Sequence, residues 1–410
     1  MPTALSLRWI AVGVFIISST LNYLDRQLLA TLAPLIMTDL HFSQTGYGFL
    51  ISVLSIAYAI SSPVTGWFLD RVGVNRGILV AVTWWSVSAI STGLVSGARG
   101  LAFCRAALGI GESAGVPAVG KLNGLYLKPE ERALGAAFNQ VGLSLGLIIA
   151  PLSIGLATTY SWRAPFMIAG FLGLLWIPLW MAISRSIPPQ FDTEESAIRE
   201  ARNYPAWSVL RDSRLLWLLV TNVLWMIGYS LWSNWTTLYL MHVQGLTLQE
   251  TAHYLWIPPF ISNLGGFFGG WLSLRWMRRS VAPVAARRRA IAVSAAGMLI
   301  TALLPLAPDA GWATACISVS FFFLLSGSVN IYALPIDIFG AARSGLAISA
   351  LTFAFGVMQM ILSPVIGYMG DHKLYTEIGW LAAVPPVLGA LALKRLPSRS
   401  SKARTADIIA

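Results

Sequence analysis

The sequence predicts an all-α polytopic membrane protein with twelve transmembrane helices in two six-helix bundles, and three observations carry that prediction. Of its 410 residues, 56% are hydrophobic and only 11% are charged, a balance far from that of a soluble globular chain. Apolar stretches near the ~20 residues needed to cross a bilayer fall at about 9–37, 45–69, 77–97, 101–127, 134–158 and 162–184, and again at 214–240, 250–274, 290–308, 312–336, 344–369 and 375–393. Lysine and arginine gather in alternate loops between those stretches. The chain therefore divides into a first bundle at 1–184, a polar linker at 185–213, a second bundle at 214–394 and a tail at 395–410. The linker, with Arg185, Asp192, Glu194, Glu195, Arg199, Glu200 and Arg202, reads as an interfacial helix.

Positive residues in short loops tend to stay in the cytoplasm. With both termini inside, the inner segments take Arg8, Arg71, Arg76, Lys128, Arg132, the cluster from Arg275 to Arg289, and the tail, while the outer loops keep only Arg99, Arg163 and Lys373. The net charge of +11 is thus a topology signal, and it implies attraction to anionic membrane lipid. A nucleic-acid partner would need a basic soluble domain or a basic stripe, and the sequence has neither. The first stretch is too long for a secretory signal and no small-residue cleavage site follows it, so it is expected to remain as a helix. Cys104 and Cys316 lie in spans of opposite halves, which argues against a disulfide framework or a metal site.

Taken in order, the first span carries Asn22-Tyr23-Leu24-Asp25-Arg26 and the fourth carries Arg105 and Glu112. An ionised side chain at the bilayer centre costs roughly 2.5–3.5 kcal/mol on insertion scales, so such residues usually line a cavity. Residues seven apart on a helix return to nearly the same face, about 10 Å apart, so Arg105 and Glu112 are expected to look into one cavity. With both acids ionised the four charges cancel, which makes their burial tolerable. Protonating Asp25 and Glu112 would leave two guanidinium groups, a strong attraction for an arriving carboxylate. Proton and anion binding would then assist each other. The competing reading is that Asp25–Arg26 and Arg105–Glu112 are internal ion pairs that only fix helix packing.

The turn after the second span reads Gly66-Trp-Phe-Leu-Asp70-Arg71-Val-Gly73-Val-Asn75-Arg76. Glycine allows close helix contact, and Asp70 can pair with basic groups or helix ends to latch one conformation. A degenerate copy follows the eighth span at Gly270-Trp271, with Leu274 in place of the acid and then Arg275, Arg278 and Arg279; it predicts two pseudo-symmetric halves, with a latch in the second that is weaker or differently built. Gly109-Ile-Gly111-Glu112-Ser-Ala-Gly115 has the wrong spacing for a nucleotide loop. Gly111/Gly115, Gly142/Gly146 and Gly266/Gly270 fit the small-xxx-small pattern of closely packed helices. Lys121, at the end of the fourth span, is expected to snorkel to the surface. His41, His242, His253 and His372 map to outer loops or span ends, so none is expected to carry a proton across. Asn234-Trp-Thr236 fits a glycosylation sequon but falls in or near a span.

Together these segments resemble the major facilitator superfamily, through the Gly66 to Arg76 turn, and within it the anion:cation symporters. The latter resemblance rests on Asn22 to Arg26, Ala33-Pro34, Arg105 with Glu112, Glu131-Arg132, Ser144-Leu-Gly146, Trp162-Arg163-Ala-Pro-Phe166 and Trp235-Thr-Thr-Leu-Tyr239. The family includes bacterial hexuronate, galactonate and glucarate transporters and the vesicular glutamate and sialic acid carriers. The resemblance implies that Arg26 and Arg105 bind a carboxylate, that Asp25 and Glu112 are the protonatable acids, and that Tyr23 and Tyr58 hydrogen-bond sugar hydroxyls. Gln140, Asn234 and Gln359 are further candidate contacts, and Asn263, Asn330 and Tyr332 supply other polar groups in the membrane. In the eleventh span, where relatives often read Phe-Gly-Asn, this chain has Phe355-Gly356-Val357, with Gln359 following.

The expectation is a proton-coupled symporter that imports a small organic anion, foremost a sugar acid, across a bacterial cytoplasmic membrane as a monomer. It would need no cofactor besides the co-transported proton. A drug or lysolipid exporter of Spinster type on the same fold is the first alternative, which two buried arginines disfavour. An enzyme would need a nucleophile–base pair, metal cluster or phosphate loop in the spans, and a sensor would usually add a signalling domain; the sequence shows neither pattern.

Overall fold

The computed structural model describes residues 4–128, 131–187 and 206–396. Most of the linker and the tail beyond Leu396 lie outside the described residues. Among the described residues there is no strand, and nine helices are long and apolar enough to cross a membrane. These are the first span (Ala4–Asp39), the second (Gln44–Val72), the fifth (Arg132–Ile149, continued by Ser153–Thr159) and the sixth (Arg163–Ser186). In the second half they are the seventh (Ser213–Asn234), the ninth (Pro283–Met298, continued by Leu299–Leu306), the tenth (Ala310–Phe339), the eleventh (Ala341–Asp371) and the twelfth (Tyr375–Ala392). The third (Val74–Thr92) and eighth (Ile257–Met277) are also helical, with serine, glycine and tryptophan diluting their aliphatic content. The fourth span is interrupted, running from Ala98–Glu112 to Gly115–Tyr126. The glycines and Ser113 around that break are weak helix formers, and the single helix expected over 101–127 is two.

Each half packs in the same way. The second span lies on the fourth, the third on the sixth and the first on the fifth; correspondingly the eighth lies on the tenth, the ninth on the twelfth and the seventh on the eleventh. Close approach depends on glycine. A Cβ at Gly142 or Gly146 would strike Ile16 or the backbone at Thr20 and Leu24, as the sequence predicts. In the eighth span the pattern is displaced by one residue. Gly265 and Gly269, rather than Gly266 and Gly270, face the tenth span, where a Cβ would come within 1.9 Å of the Phe322 carbonyl and 2.1 Å of the Ser326 carbonyl. One residue turns a helix by about 100°, so Gly266 meets only Val329 at 3.8 Å and Gly270 meets nothing. Gly111 abuts Trp84 and Trp85, while Gly115 meets only Asn22 at 3.7 Å. We expect Gly265→Val to lose most folded protein, because overpacking of this kind costs about 1–3 kcal/mol or more, and Gly266→Ala to change little; monodisperse yield in detergent checks both.

The two halves meet mainly through the second and eleventh spans. Their hydrogen bonds gather toward the face that carries the loops after the first, seventh and eleventh spans, here called the far face. Asp371, at the end of the eleventh span, accepts from the Gln44 and Thr45 amides at 2.9 Å and from the Thr45 hydroxyl at 2.6 Å, so one half caps a helix of the other. Deeper in, Tyr47 donates to the Asn234 carbonyl (2.8 Å), Ser52 to the Met360 carbonyl (2.6 Å) and Ser55 to Gln359 Oε1 (2.8 Å). Gly48 and Gly367 let these spans touch, since a Cβ on either would fall within 2.3 Å of opposing backbone. The far face is sealed in this conformation. Outside the spans, Thr247 and Glu250 form a reciprocal capping box, whose hydrogen bonds hold the Glu250 carboxyl below the usual carboxylate range.

Candidate functional site

The four charges predicted at membrane depth are all in place, and they are paired differently from either expected ion pair. Arg26 Nε lies 2.5 Å from Glu112 Oε2, joining the first span to the break in the fourth. Asp25 is 1% exposed with Oδ1 unpartnered, and Arg105 is fully buried. Adjacent residues on a helix diverge by about 100°, which turns Asp25 away from its neighbour's guanidinium. Arg105, two turns from Glu112, instead donates through Nη2 to Thr92 Oγ1 at 3.3 Å and stands over the Phe166 ring at 5.2 Å. Its Nε and Nη1 have no partner. Asp25 stays within electrostatic reach of both Arg105 and Glu112.

A central cavity lies between the halves. The first half contributes Tyr23, Arg26, Gln27 and Arg105 to its wall, and the second contributes Tyr229, Ser233, Asn234 and Gln359. The Arg26 guanidinium stacks on Tyr58 at 4.4 Å and on Tyr23 at 5.5 Å, which fixes the planar group by cation–π attraction. Gln359 is held by Ser55 and by Ser230 (3.4 Å), and Asn234 by the Ser230 carbonyl (2.9 Å). A carboxylate presented to Arg105 would meet unpartnered guanidinium N–H groups, with hydroxyl and amide side chains across the cavity.

Several expectations need correction. Arg105 and Glu112 do not share a cavity wall: Arg105 borders the central cavity, whereas Glu112 borders a second one inside the first half, together with Tyr58. Gln140 is exposed and borders neither cavity; Asn139, one residue earlier and rotated inward, borders the inner one. Asn330 bonds the Gly269 and Ser326 carbonyls at 3.0 Å and acts in packing. Asn263 accepts from Ser144 at 2.7 Å, a contact between the halves. Tyr229, Gln27 and Ser233 went unnoticed in the sequence because a lone polar or aromatic residue in an apolar span looks like packing. For Gln27 a signal was available, its position directly after Asp25-Arg26.

In the Gly66 to Arg76 turn, Asp70 pairs with Lys121, so Lys121 reaches back to the second span instead of only snorkelling. Gly73, at φ +83°, makes the break between the second and third spans in a conformation that favours glycine. Arg71 stacks on Trp67 at 4.6 Å, and in the second half Arg275 stacks on Trp271 at 5.5 Å. The degenerate copy therefore keeps this arginine–tryptophan stack without the acid. Gly66 faces open space and makes no close helix contact here, and Arg76 is exposed. The Asp70–Lys121 pair stays within the first half.

The sequence model of the Major Facilitator Superfamily matches residues 15–333. The chain is 26% identical to the hexuronate transporter of Escherichia coli strain K12 over 404 residues, covering 94% of this chain and 93% of that protein. It is 28% identical to the galacturonate transporter of Dickeya chrysanthemi, covering 66% of this chain and 83% of that protein. Among solved structures it superposes on a bacterial homolog of the human lysosomal transporter Spinster, in an inward-facing and unoccupied conformation, with TM-score 0.72 and 18% identity, covering 96% of this chain and 99% of that one. At that identity the likeness shows the fold alone.

Proposed function

The chain belongs to the Major Facilitator Superfamily, and on that premise we propose that it imports a small organic anion, a sugar acid of the hexuronate or hexonate class, together with protons. It is a multi-pass membrane transporter and not an enzyme. One observation carries the substrate reading: Arg105, fully buried, keeps Nε and Nη1 unpartnered at the wall of the cavity between the halves. A buried guanidinium without a full set of acceptors is costly, and a carboxylate supplies those acceptors in the fork geometry that arginine prefers. Tyr23, Tyr229, Asn234 and Gln359 line the same space and suit a polyhydroxylated body. The named activities of the hexuronate and galacturonate transporters support the same class.

The Arg26–Glu112 pair supports the proton-coupling part of this reading. While Glu112 is ionised it holds Arg26; once protonated it releases the guanidinium to the anion, and Asp25 adds to the same balance of charge. In this reading Asp70, with Arg71, Gly73 and Arg76 around it, steadies the fourth span through Lys121 during the rocking of the halves; Gly66 would come into contact only in another conformation. The residence is the bacterial cytoplasmic membrane, with both termini inside and the sealed far face outside. Calorimetric titration of purified protein with D-glucuronate, D-galacturonate, D-galactonate, a simple monocarboxylate and a lysophospholipid tests the substrate class. We expect saturable binding of at least one sugar acid and none of the lysophospholipid. The reverse pattern would overturn the reading in favour of an exporter of amphiphiles.

A further inference from the structure

The second cavity lies inside the first half and is bordered by the first five spans. Three of the side chains on its wall carry buried polar atoms with no partner: Glu112 Oε1, Asn22 Nδ2 and Trp85 Nε1. Asn22 is 5% exposed and the other two 1%. Two donors and one acceptor, in a space that admits a water and is otherwise lined largely by apolar side chains, match what an internal water satisfies, since it accepts twice and keeps two O–H groups to give. One of these meets Glu112, and the other is free to point along the cavity. From Glu112 the wall continues through Val116 and Val119 on the fourth span and through Ser19 and Phe15 on the first, about two helical turns away from the far face. Asn139, which accepts from Ser19 at 2.7 Å, stands beside that route.

We propose that Asn22 and Trp85 hold a water against Glu112 Oε1, and that this water takes the Glu112 proton out through the first half, apart from the path of the anion. The inference rests on Glu112 as a proton carrier. When Glu112 is protonated, its Oε1 hydroxyl replaces one of the two N–H groups as donor to the held water and gives up its proton there; the water passes one of its own protons to solvent water further along the cavity and accepts the N–H again, and Glu112 remains as the carboxylate paired with Arg26. Electrostatics favours this exit. The charged and titratable groups that face Glu112 are Asp25, Arg26 and Tyr23 from the first span, Tyr58 from the second and Arg105 from its own, while the third and fifth present Trp85 and Asn139, which do not titrate. The two guanidinium groups lie on the side of the central cavity and repel a hydronium ion there. Asn22 and Trp85 are positioning residues in this scheme.

Asn22→Leu and Trp85→Phe test it in proteoliposomes, the second because it keeps an aromatic ring and removes the N–H. Exchange of labelled for unlabelled sugar acid at equal pH needs no proton release, whereas net uptake driven by a pH gradient does. Both variants should exchange within about twofold of the parent and lose roughly tenfold or more of gradient-driven uptake, and Asn22→Ser, which leaves room for a further water, should recover most of it. Equal loss of exchange and net uptake, or no loss of either, overturns the proposal. Parent protein whose uptake ignores the pH gradient would overturn the coupling reading as well, which separates the two failures.

Discussion

Arg105→Ala should abolish sugar-acid binding while leaving the protein folded. Arg105 is fully buried but makes one side-chain hydrogen bond, to Thr92, with Nε and Nη1 unpartnered, so the packing lost on truncation is offset by removing a poorly satisfied buried charge. For the ligand the loss is large. Truncating one partner of a buried, hydrogen-bonded charge pair costs about 2–5 kcal/mol, roughly 30-fold to several-thousand-fold in Kd. Arg105→Lys keeps the charge without the fork and should recover only part of that. Titration calorimetry at fixed pH reads both variants, and unchanged affinity in Arg105→Ala would remove this residue from the anion site.

Glu112→Gln should separate binding from coupling. The amide cannot ionise, so Arg26 loses its counter-charge at every pH and behaves as it does beside protonated Glu112. The sign follows directly: in the parent protein, anion affinity falls as pH rises and Glu112 ionises, because the carboxylate reclaims Arg26. In Glu112→Gln that dependence should flatten, with affinity at high pH equal to or tighter than that of the parent. Gradient-driven accumulation should be lost while exchange persists. Accumulation at the parent's rate in Glu112→Gln would exclude the residue from coupling.

Composition, hydropathy and the Gly66 to Arg76 turn were enough to read the twelve-helix architecture and the depth of the four central charges. They could not supply which helix face each charge occupies relative to its neighbours. Arg26 pairs with Glu112 across two spans because of how the first and fourth helices are rotated against each other, which hydropathy does not report. The same limit explains why Asn139 takes the inward position instead of Gln140, and why Gly265 and Gly269 contact the tenth span instead of Gly266 and Gly270. A step of one residue leaves composition and period unchanged while it rotates the contact by about 100°. Asp371 was unreadable for another reason. An acid at the end of a span looks like an ordinary loop residue until the other half places the Gln44 and Thr45 amides against it.

The measurement that bears most directly on the account is made on protein reconstituted in liposomes that enclose a pH-sensitive dye, with hexuronates and hexonates added outside in the absence of any imposed gradient. Downhill entry of a symported sugar acid should acidify the lumen, and the signal should vanish in Arg105→Ala. Uptake of labelled sugar acid with no movement of protons would contradict the coupling of Arg26, Glu112 and the anion on which the mechanism depends.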